Sequence, residues 1–440
     1  MNQVAVVGFG YIGSVIAAVL ADRGASVVGI DTNPQIIDEV SRGTCTIPEP
    51  GLADLVARAV AAGRLSATAD PQAVRGAKVV LITVGTPLSD DFSADLSHLR
   101  SACAAVAPYI EPDAVVMIKS TVPPGTTRLM YQEFFMARGN VRMAFSPERL
   151  AEGQAIRDLL SIPILVGGID RESSTAGTAF WREYLPVDVS PLSSPEATEM
   201  VKLADNLWID LNIALANELA KLVDALPYPV DVMEIISGAN TLKKGQHYVN
   251  ILYPANGVGG YCLTKDPWFV DALGRRSGLE LKIPRASREI NDSMPEHVYA
   301  RVRAWLSSQN IPVRNAKIAI LGFAFKGNSG DCRFTPVAPL VQALRDNGYG
   351  ENLRICDPLV TAREAERHRI RLEPHWQDAL NQADAVLMLC GHDEFSALTP
   401  QDLAMWTRPG ALIYDGRMYF SQEKIQAIRE TGLHYIGVGR

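Results

Sequence analysis

The sequence predicts an α/β protein in which two Rossmann-like, doubly wound domains are joined by a long central helix and a helical middle domain. Three observations lead there. From residue 1 to about 190, short apolar runs alternate with helical stretches, the pattern of a parallel sheet covered by helices on both faces. From about 193 to 225 one helical period takes over, and from about 315 the alternation returns. The expected division is 1–192, 193–312 and 313–440, in keeping with a length of 440 residues and ordinary domain sizes.

The first region carries candidate strands at 4–7, 27–30, 79–84, 114–118 and 164–166. Each is a continuous apolar run, as strands covered on both faces should be. The helical region opens on Ser193-Ser194-Pro195-Glu196: a hydroxyl cap, a proline in the first turn and an early acid. Apolar residues then recur around most of the helix, at Met200, Val201, Leu203, Leu207, Trp208, Leu211, Leu215, Leu219 and Leu222. Such a helix is expected to lie buried between domains or subunits, and roughly 30 residues span about 45 Å. It is the expected seam of a homodimer or a higher homo-oligomer. The third region has candidate strands at 317–321, 354–356 and 385–389. It also echoes the first: residues 4–13 read VAVVGFGYIG and residues 318–327 read IAILGFAFKG.

Hydrophobic residues make up 47% of the chain, charged residues 21%, and the net charge is −7. That is a soluble globular composition. It argues against a dedicated nucleic-acid or anionic-membrane surface. No apolar stretch approaches the length of a membrane span. The first strand is met at once, with no basic segment or cleavage site before it, so export is not expected. The six cysteines (45, 103, 262, 332, 356 and 390) are scattered, without CxxC or metal-ligand spacing. A reduced, cytoplasmic chain with no metal is expected.

The cofactor motif is Gly8-Phe9-Gly10-Tyr11-Ile12-Gly13. It follows a strand, opens a helix expected over 14–23, and is followed by a second strand ending in Asp31, 23 residues after Gly8. The glycines allow a tight turn and close approach of a pyrophosphate to the helix N-terminus, while the acid accepts hydrogen bonds from the adenosine ribose. Asp31 would repel a 2′-phosphate and no arginine stands beside it, so NAD is expected rather than NADP. Val84-Gly85-Thr86-Pro87 and Ser120-Thr121-Val122-Pro123-Pro124-Gly125-Thr126 also follow strands, which places both loops at the edge where such sheets bind ligands.

The most informative segment is Gly257-Val258-Gly259-Gly260-Tyr261-Cys262-Leu263-Thr264-Lys265-Asp266. Closely spaced glycines let a backbone approach a ligand or fold a nest of N–H groups. A cation such as Lys265 favours thiolate at Cys262. A thiolate adds to an aldehyde to give a thiohemiacetal. Oxidation of that adduct gives a thioester, which water hydrolyses. Asp266 is placed to orient the water. A cysteine is more often apolar filler, but the polar neighbours and glycines speak against that here. Lys202 and Asn206 sit four apart on the central helix and share a face. They are candidates to stabilise an alkoxide or oxyanion. A lysine that keeps its ammonium in water at the helix edge is the alternative.

These residues resemble the UDP-glucose/GDP-mannose dehydrogenase family, the nucleotide-sugar 6-dehydrogenases. The likeness runs through GFGYIG, the EPGL of 49–52, VGTP, STVPPGT, SPERLAEG at 146–153, the Lys202/Asn206 helix, GVGGYCLTKD, SREIND at 287–292, GFAFKGNSGDCR at 322–333, Cys356-Asp357-Pro358 and HDEF at 392–395. The resemblance implies an N-terminal NAD domain, a helical spine that dimerises and a C-terminal domain for the UDP-sugar. It makes Cys262 the nucleophile, and Asp266 with Thr121 the holders of the hydrolytic water. Lys202 and Asn206 become the oxyanion pair, and Glu148 and Glu152 acids near the sugar and its proton network. Gly8, Gly10, Tyr11, Ile12, Gly13, Asp31, Val84, Gly85, Thr86, Thr121 and Lys265 would meet the cofactor. Lys326 and Arg333 would contact nucleotide phosphates or the cofactor; Lys326 is also expected at a helix start, where a phosphate is well placed. The substrate would further meet Arg149, Leu150, Tyr248, Asn250 and Gly259.

Two positions depart from the UDP-glucose branch. Arg149 stands where that branch has an aromatic, and Tyr248-Val249-Asn250-Ile251-Leu252 is closer to the branch acting on UDP-N-acetylhexosamines. That branch commonly has an arginine before VNIL that reaches the neighbouring subunit's substrate. Here Tyr248 takes its place, with Lys243, Lys244 and His247 just upstream. The expected reaction is a four-electron oxidation of a UDP-N-acetylhexosamine (ManNAc or GlcNAc type) to the uronate for a surface polysaccharide precursor. UDP-glucose is the runner-up. A two-electron dehydrogenase on a small hydroxy acid and a cofactor-binding regulator without chemistry are the rivals from other classes.

Overall fold

Eight strands form the first sheet of the computed structural model, which describes residues 3–440. They are β1 (Gln3–Val7), β2 (Ser26–Ile30), β3 (Leu65–Thr68), β4 (Ala77–Ile82), β5 (Val115–Ile118), β6 (Arg142–Phe145), β7 (Ile164–Gly168) and β8 (Val189–Pro191). Their order is β3-β2-β1-β4-β5-β6-β7-β8, and only β6 with β7 runs antiparallel. Alternate residues of β1 enter different cores: Val4 and Val6 pack on one face, Ala5 and Val7 on the other. Burial on both faces explains the unbroken apolar runs. β3 and β6 escape sequence reading because they are short and carry Ser66, Thr68 or Arg142 in place of an apolar run. The 79–84 run leaves the sheet two residues early. Thr83 turns its hydroxyl onto the Gly8 carbonyl at 2.5 Å, closing the glycine turn.

The chain divides into two compact units, residues 1–205 and 206–440. The second unit holds a short hairpin, β9 (Lys243–Lys244) with β10 (His247–Tyr248), and a parallel sheet. The sheet strands are β11 (Ile318–Leu321), β12 (Leu353–Cys356), β13 (Ala385–Met388), β14 (Leu412–Asp415) and β15 (His434–Gly437). They are ordered β12-β11-β13-β14-β15. Again alternate residues enter two cores, Ile318 and Ile320 on one face, Ala319 and Leu321 on the other. Two open α/β sheets are therefore present, each with a topological switch where ligands bind beyond the strand C-termini: between β1 and β4 in one, between β11 and β13 in the other. Among the described residues no helix is long and apolar enough to cross a membrane.

The central helix runs Pro195–Ala225, 31 residues, with the Ser194 hydroxyl accepting from Ala197 N. Its faces differ from what composition predicts. One buried row is polar: Glu199, Lys202, Asn206, Asp210 and Asn217 are each no more than 6% exposed. Large apolar residues point outward instead. Trp208, Leu215 and Leu222 recur every seven residues and are 48%, 44% and 56% exposed. The helix is not buried all round. Its buried side mixes these polar groups, held by partners inside the fold, with Leu203, Ala214, Ala216, Ala220 and Val223.

Candidate active site

The glycine turn after β1 is shaped for a dinucleotide. The helix Tyr11–Asp22 begins directly after Gly10, three residues earlier than the apolar pattern indicates, with no side-chain cap and no acid in its first turn. Its first N–H groups and its positive dipole end are left for an anion. Gly8 has φ +89°, and a Cβ on Gly13 would strike the Gly8 carbonyl, whereas one on Gly10 would meet only open space. Packing within the protein therefore does not require glycine at position 10, and the open space beside it would admit a pyrophosphate. Asp31, at the end of β2, accepts from Phe9 N at 2.6 Å and Asn33 N at 2.8 Å. The two other loops are stitched together: Thr86 donates to the Thr121 carbonyl at 2.7 Å and Ser120 to the Val84 carbonyl at 2.6 Å. Gly85 is exposed and Ile12 packs on the core.

Tyr11 donates its hydroxyl to Glu49. Gly153 N donates both to Glu49, at 2.7 Å, and to the Tyr11 oxygen, at 3.0 Å. Burial and the Glu49 hydrogen bond push the phenol's pKa up. EPGL thus acquires a physical role: its acid pins the Ala151-Glu152-Gly153 turn to the glycine turn. The Tyr11 hydroxyl is committed to that task, and Glu152 is half-buried beside it.

Glu148 lies just beyond β6, 3.6 Å from the Lys202 ammonium, with both side chains nearly buried. Its other oxygen accepts from Leu150 N, and the Leu150 side chain packs on the core. Arg149 turns to the Pro163 carbonyl. One turn before Lys202, Glu199 accepts from Gly125 N at 2.6 Å and Thr127 N at 2.7 Å. It ties the STVPPGT loop to the central helix, and burial lifts its carboxyl to about 7. Sequence reading missed Glu199, which lies one turn before Lys202 on the same helix face.

In the second unit the cysteine loop is built around Asp266. Asp266 is wholly buried and accepts from Lys265 at 2.6 Å and from Asn206 at 2.5 Å. Lys265 also lies over the Phe269 and Tyr261 rings. Its charge is thereby balanced by its neighbour and by aromatic faces. The Cys262 carbonyl accepts from Lys265 N and Asp266 N, which closes a turn leading into the helix Asp266–Arg276. Cys262 is exposed, whereas the other described cysteines are buried or half-buried. Burial pushes the Cys103, Cys332 and Cys356 thiols up to about 12, so these are inert packing residues.

The glycines before Cys262 are explained by packing. A Cβ on Gly259 or Gly260 would strike Phe325, and one on Gly257 would strike Pro336; Gly260 N also donates to the Arg333 carbonyl at 2.9 Å. The 325–336 segment therefore lies directly against the cysteine loop. Behind it stands a network that sequence reading missed. Arg288, only 1% exposed, pairs with buried Asp210 at 2.7 Å and donates to the Leu263 carbonyl at 3.3 Å. Asn291 donates to the Asp210 carboxylate at 2.8 Å and accepts from Asn217 at 2.9 Å, and Asn217 in turn accepts from Ala255 N at 2.8 Å. SREIND is the face that fastens both ends of the cysteine loop to the central helix.

The second glycine turn behaves unlike the first. Asp357, at the end of β12, occupies the place that Asp31 has after β2. Its side chain has no exposure. It accepts from Phe323 N, Ala324 N, Leu359 N and Val360 N. His392 also approaches it at 3.1 Å, and Asn328 N donates to the other ring nitrogen. That ring therefore carries its proton on the nitrogen facing Asp357. An acid so enclosed holds the loop and cannot read a ribose. Lys326 does not stand at a helix start as expected: no helix follows until Val337–Asp346, because residues 325–331 form an excursion closed by Phe325 N to the Asp331 carbonyl. Arg333 pairs with Asp331 and is half-exposed. Arg417, unnoticed in the sequence, follows β14 and donates to the Phe325 carbonyl, bringing a second cation to the segment that carries Lys326. Tyr248 is 63% exposed on the hairpin. Asn250 is exposed, and its backbone carbonyl accepts from Asn212.

These features define an NAD-dependent oxidoreductase with a second, nucleotide-type sheet. Comparison with known proteins specifies it. Residues 2–185 match the NAD binding domain of the UDP-glucose/GDP-mannose dehydrogenase family, residues 196–293 its central domain, and residues 319–422 its UDP binding domain. The chain belongs to this family and is an NAD-dependent nucleotide-sugar dehydrogenase. It is 33% identical over 438 residues to an NDP-N-acetyl-D-galactosaminuronic acid dehydrogenase of Ralstonia nicotianae, covering 97% of this chain and 98% of that one. It is 32% identical over 407 residues to a UDP-N-acetyl-D-mannosamine dehydrogenase of Methanococcus maripaludis, covering 92% and 89%. The solved structure of a UDP-D-ManNAc dehydrogenase from Pyrococcus horikoshii superimposes with a TM-score of 0.88 at 31% identity, covering 100% and 99%. A UDP-glucose dehydrogenase from Pyrobaculum islandicum gives 0.85 at 28%, covering 100% and 98%.

Proposed function

We propose that this enzyme oxidises the C6 alcohol of a UDP-N-acetylhexosamine, of ManNAc or GlcNAc type, to the uronate, with Cys262 as covalent nucleophile. The observation that carries the mechanism is the exposure of Cys262 on a turn whose neighbour Asp266 is buried and fixed by Lys265 and Asn206. The names of the relatives, which act on N-acetylated sugars, support the substrate class. Bound NAD, held by residues 8–13 and Asp31 with Val84, Gly85, Thr86 and Thr121, supplies the hydride acceptor for both oxidations, two NAD being consumed per sugar.

In the first oxidation the alcohol loses a hydride and its hydroxyl proton, and becomes the aldehyde. The Cys262 thiolate then forms a C–S bond to the aldehyde carbon, giving a thiohemiacetal anion that Lys202 and Asn206 stabilise. Loss of the second hydride leaves a thioester. Water, oriented by Asp266 and Thr121, adds to the thioester carbon. The C–S bond breaks, thiolate returns to Cys262, and the carboxylate leaves with the protons passed to solvent. Glu148 and Glu152 serve the sugar hydroxyls and this proton traffic, and Lys326 and Arg333 the phosphates. Arg149, Leu150, Tyr248, Asn250 and Gly259 shape the sugar end. The domain division is 1–192 for NAD, 193–312 for the helical centre with the cysteine loop, and 313–440 for the UDP-sugar. The outward Trp208, Leu215 and Leu222 row supports a homodimer. The absence of a disulfide among the described cysteines supports a reducing, cytoplasmic setting.

Product stoichiometry tests the reading. UDP-N-acetylhexosamines and UDP-glucose are each incubated with excess NAD, and NADH and sugar products are quantified. Two NADH and one uronate are expected, fastest with an N-acetylated sugar. Cys262→Ser should bind NAD normally yet fail to deliver the acid. One NADH per sugar with aldehyde accumulating, or full turnover by Cys262→Ser, overturns the covalent route. A clear preference for UDP-glucose overturns the substrate assignment alone.

A further inference from the structure

Lys119 is a buried cation that the reaction scheme does not use. It follows β5 directly, is 4% exposed, and its backbone N–H continues the sheet to the Ile82 carbonyl. The ammonium donates to the Ser146 carbonyl at 3.1 Å and to the Pro147 carbonyl at 3.4 Å, and lies 4.7 Å from the centre of the Trp181 ring. Its three N–H donors are thus matched by two carbonyls and a π face. Those carbonyls belong to the two residues immediately before Glu148, whose carboxylate meets Lys202. Ser146 N is bonded to the Ile118 carbonyl, so the turn is held at its start by the sheet and at its next two carbonyls by Lys119.

We propose that Lys119 is a positioning residue: by binding the Ser146 and Pro147 carbonyls it fixes the turn that presents Glu148 to Lys202, resting on the role proposed for Glu148. Burial is what makes the assignment more than packing. It drives the Lys119 pKa down to about 8, with Glu148 acting in the opposite direction and Arg149 and Lys202 adding repulsion. An ammonium that the fold desolvates, and that two neighbouring cations oppose, costs stability at neutral pH. A methionine would fill the same space without that cost. The charge is accounted for by the two carbonyls it holds beyond the end of β6.

The test uses the full-length enzyme and three variants: Lys119→Met, Glu148→Gln and the double variant. Amide hydrogen exchange is read at residues 146–150 without substrate, and kcat and KM are read with the preferred UDP-sugar. Lys119→Met is expected to speed exchange over 146–150 at least tenfold while residues 8–13 keep wild-type protection. It should also lower kcat about 10–100-fold with a smaller change in the KM for NAD. If Lys119 works through Glu148, the double variant is no slower than Glu148→Gln alone. Lys119→Arg, which keeps the charge and the donors, should recover much of the lost kcat. Unchanged exchange at 146–150 overturns the clamp whatever the substrate proves to be, so that failure is distinct from failure of the function. Multiplying losses in the double variant, or no recovery by arginine, overturns action through Glu148.

Discussion

Replacing Arg288 with methionine should destabilise the second unit severely and in a pH-dependent way. Arg288 and Asp210 are 1% and 0% exposed and 2.7 Å apart. Methionine fills most of the space but leaves the Asp210 carboxylate with the Asn291 amide and the Ser287 hydroxyl and no paired cation. Removing one member of such a buried pair costs about 3–5 kcal/mol. At about 2–4 °C per kcal/mol for a unit of this size, the melting midpoint should fall by about 6–20 °C. Burial already raises the Asp210 pKa against the pull of Arg288, and without the arginine it rises further. An acid whose folded pKa lies above its unfolded value, about 3.9, stabilises the fold most below that value and loses the contribution as pH rises through the folded pKa. The deficit of Arg288→Met relative to the wild type should therefore be largest at pH 8 and shrink toward pH 5. The assay is thermal and urea unfolding of both proteins at each pH. Pairing Arg288→Met with Asp210→Leu removes the stranded charge and should recover most of the loss. A single-variant deficit below about 1 kcal/mol, or one that does not narrow on acidification, would refute the account of this pair as a buried, mutually dependent clamp.

Three further outcomes follow from the same geometry. Asp31→Ala removes a charged acceptor from the glycine turn and from the ribose position, and should raise the KM for NAD about 10–100-fold, the equivalent of about 1.5–3 kcal/mol, with kcat little changed; a rise under threefold would remove Asp31 from cofactor recognition. Asp357 is held below the usual carboxylate range because His392 and the backbone N–H groups outweigh the effect of burial. Its contribution is present above pH about 4 and lost as pH falls through the folded pKa, so Asp357→Asn should lower the midpoint at pH 7 and flatten the acid limb of a midpoint-against-pH series, whereas parallel limbs in variant and wild type would disprove the clamp. Trp208→Glu combined with Leu215→Glu places charge on the outward row of the central helix, and sedimentation should show the proposed homodimer falling to monomers; an unchanged mass would exclude that row as the subunit seam.

Much of the first site was legible because local rules define it. A strand, a tight glycine turn, a helix start and an acid at the next strand end are all short-range features, and residues 8–13 with Asp31 adopt them as the pattern requires. The same rules misjudged Lys326. Its GFAFKG turn copies the first, but Asp357 is enclosed by four N–H groups and His392, and no helix starts there. Phe323 N and Leu359 N match Phe9 N and Asn33 N of the first turn; the difference lies in the added contacts from Ala324 N, Val360 N and His392 and in the 325–331 excursion. On the central helix, Lys202 and Asn206 were legible as a polar pair on one face, but counting apolar residues left Glu199, Asp210 and Asn217 of the same buried row unread.

The sequence by itself determined the class of this protein. Apolar runs, glycine spacing and the order of motifs report local backbone preference and both-face burial, which the residues carry with them wherever they sit. Only the tertiary structure decided which polar groups are enclosed and what holds them. Glu49 reaches Gly153, Lys119 reaches Ser146 and Pro147, and Arg288 reaches Asp210 and Leu263. A buried charge is stable only with partners that complete its hydrogen bonds. Those partners lie tens of residues away along the chain, so their pairing exists only once the sheets and the central helix have assembled.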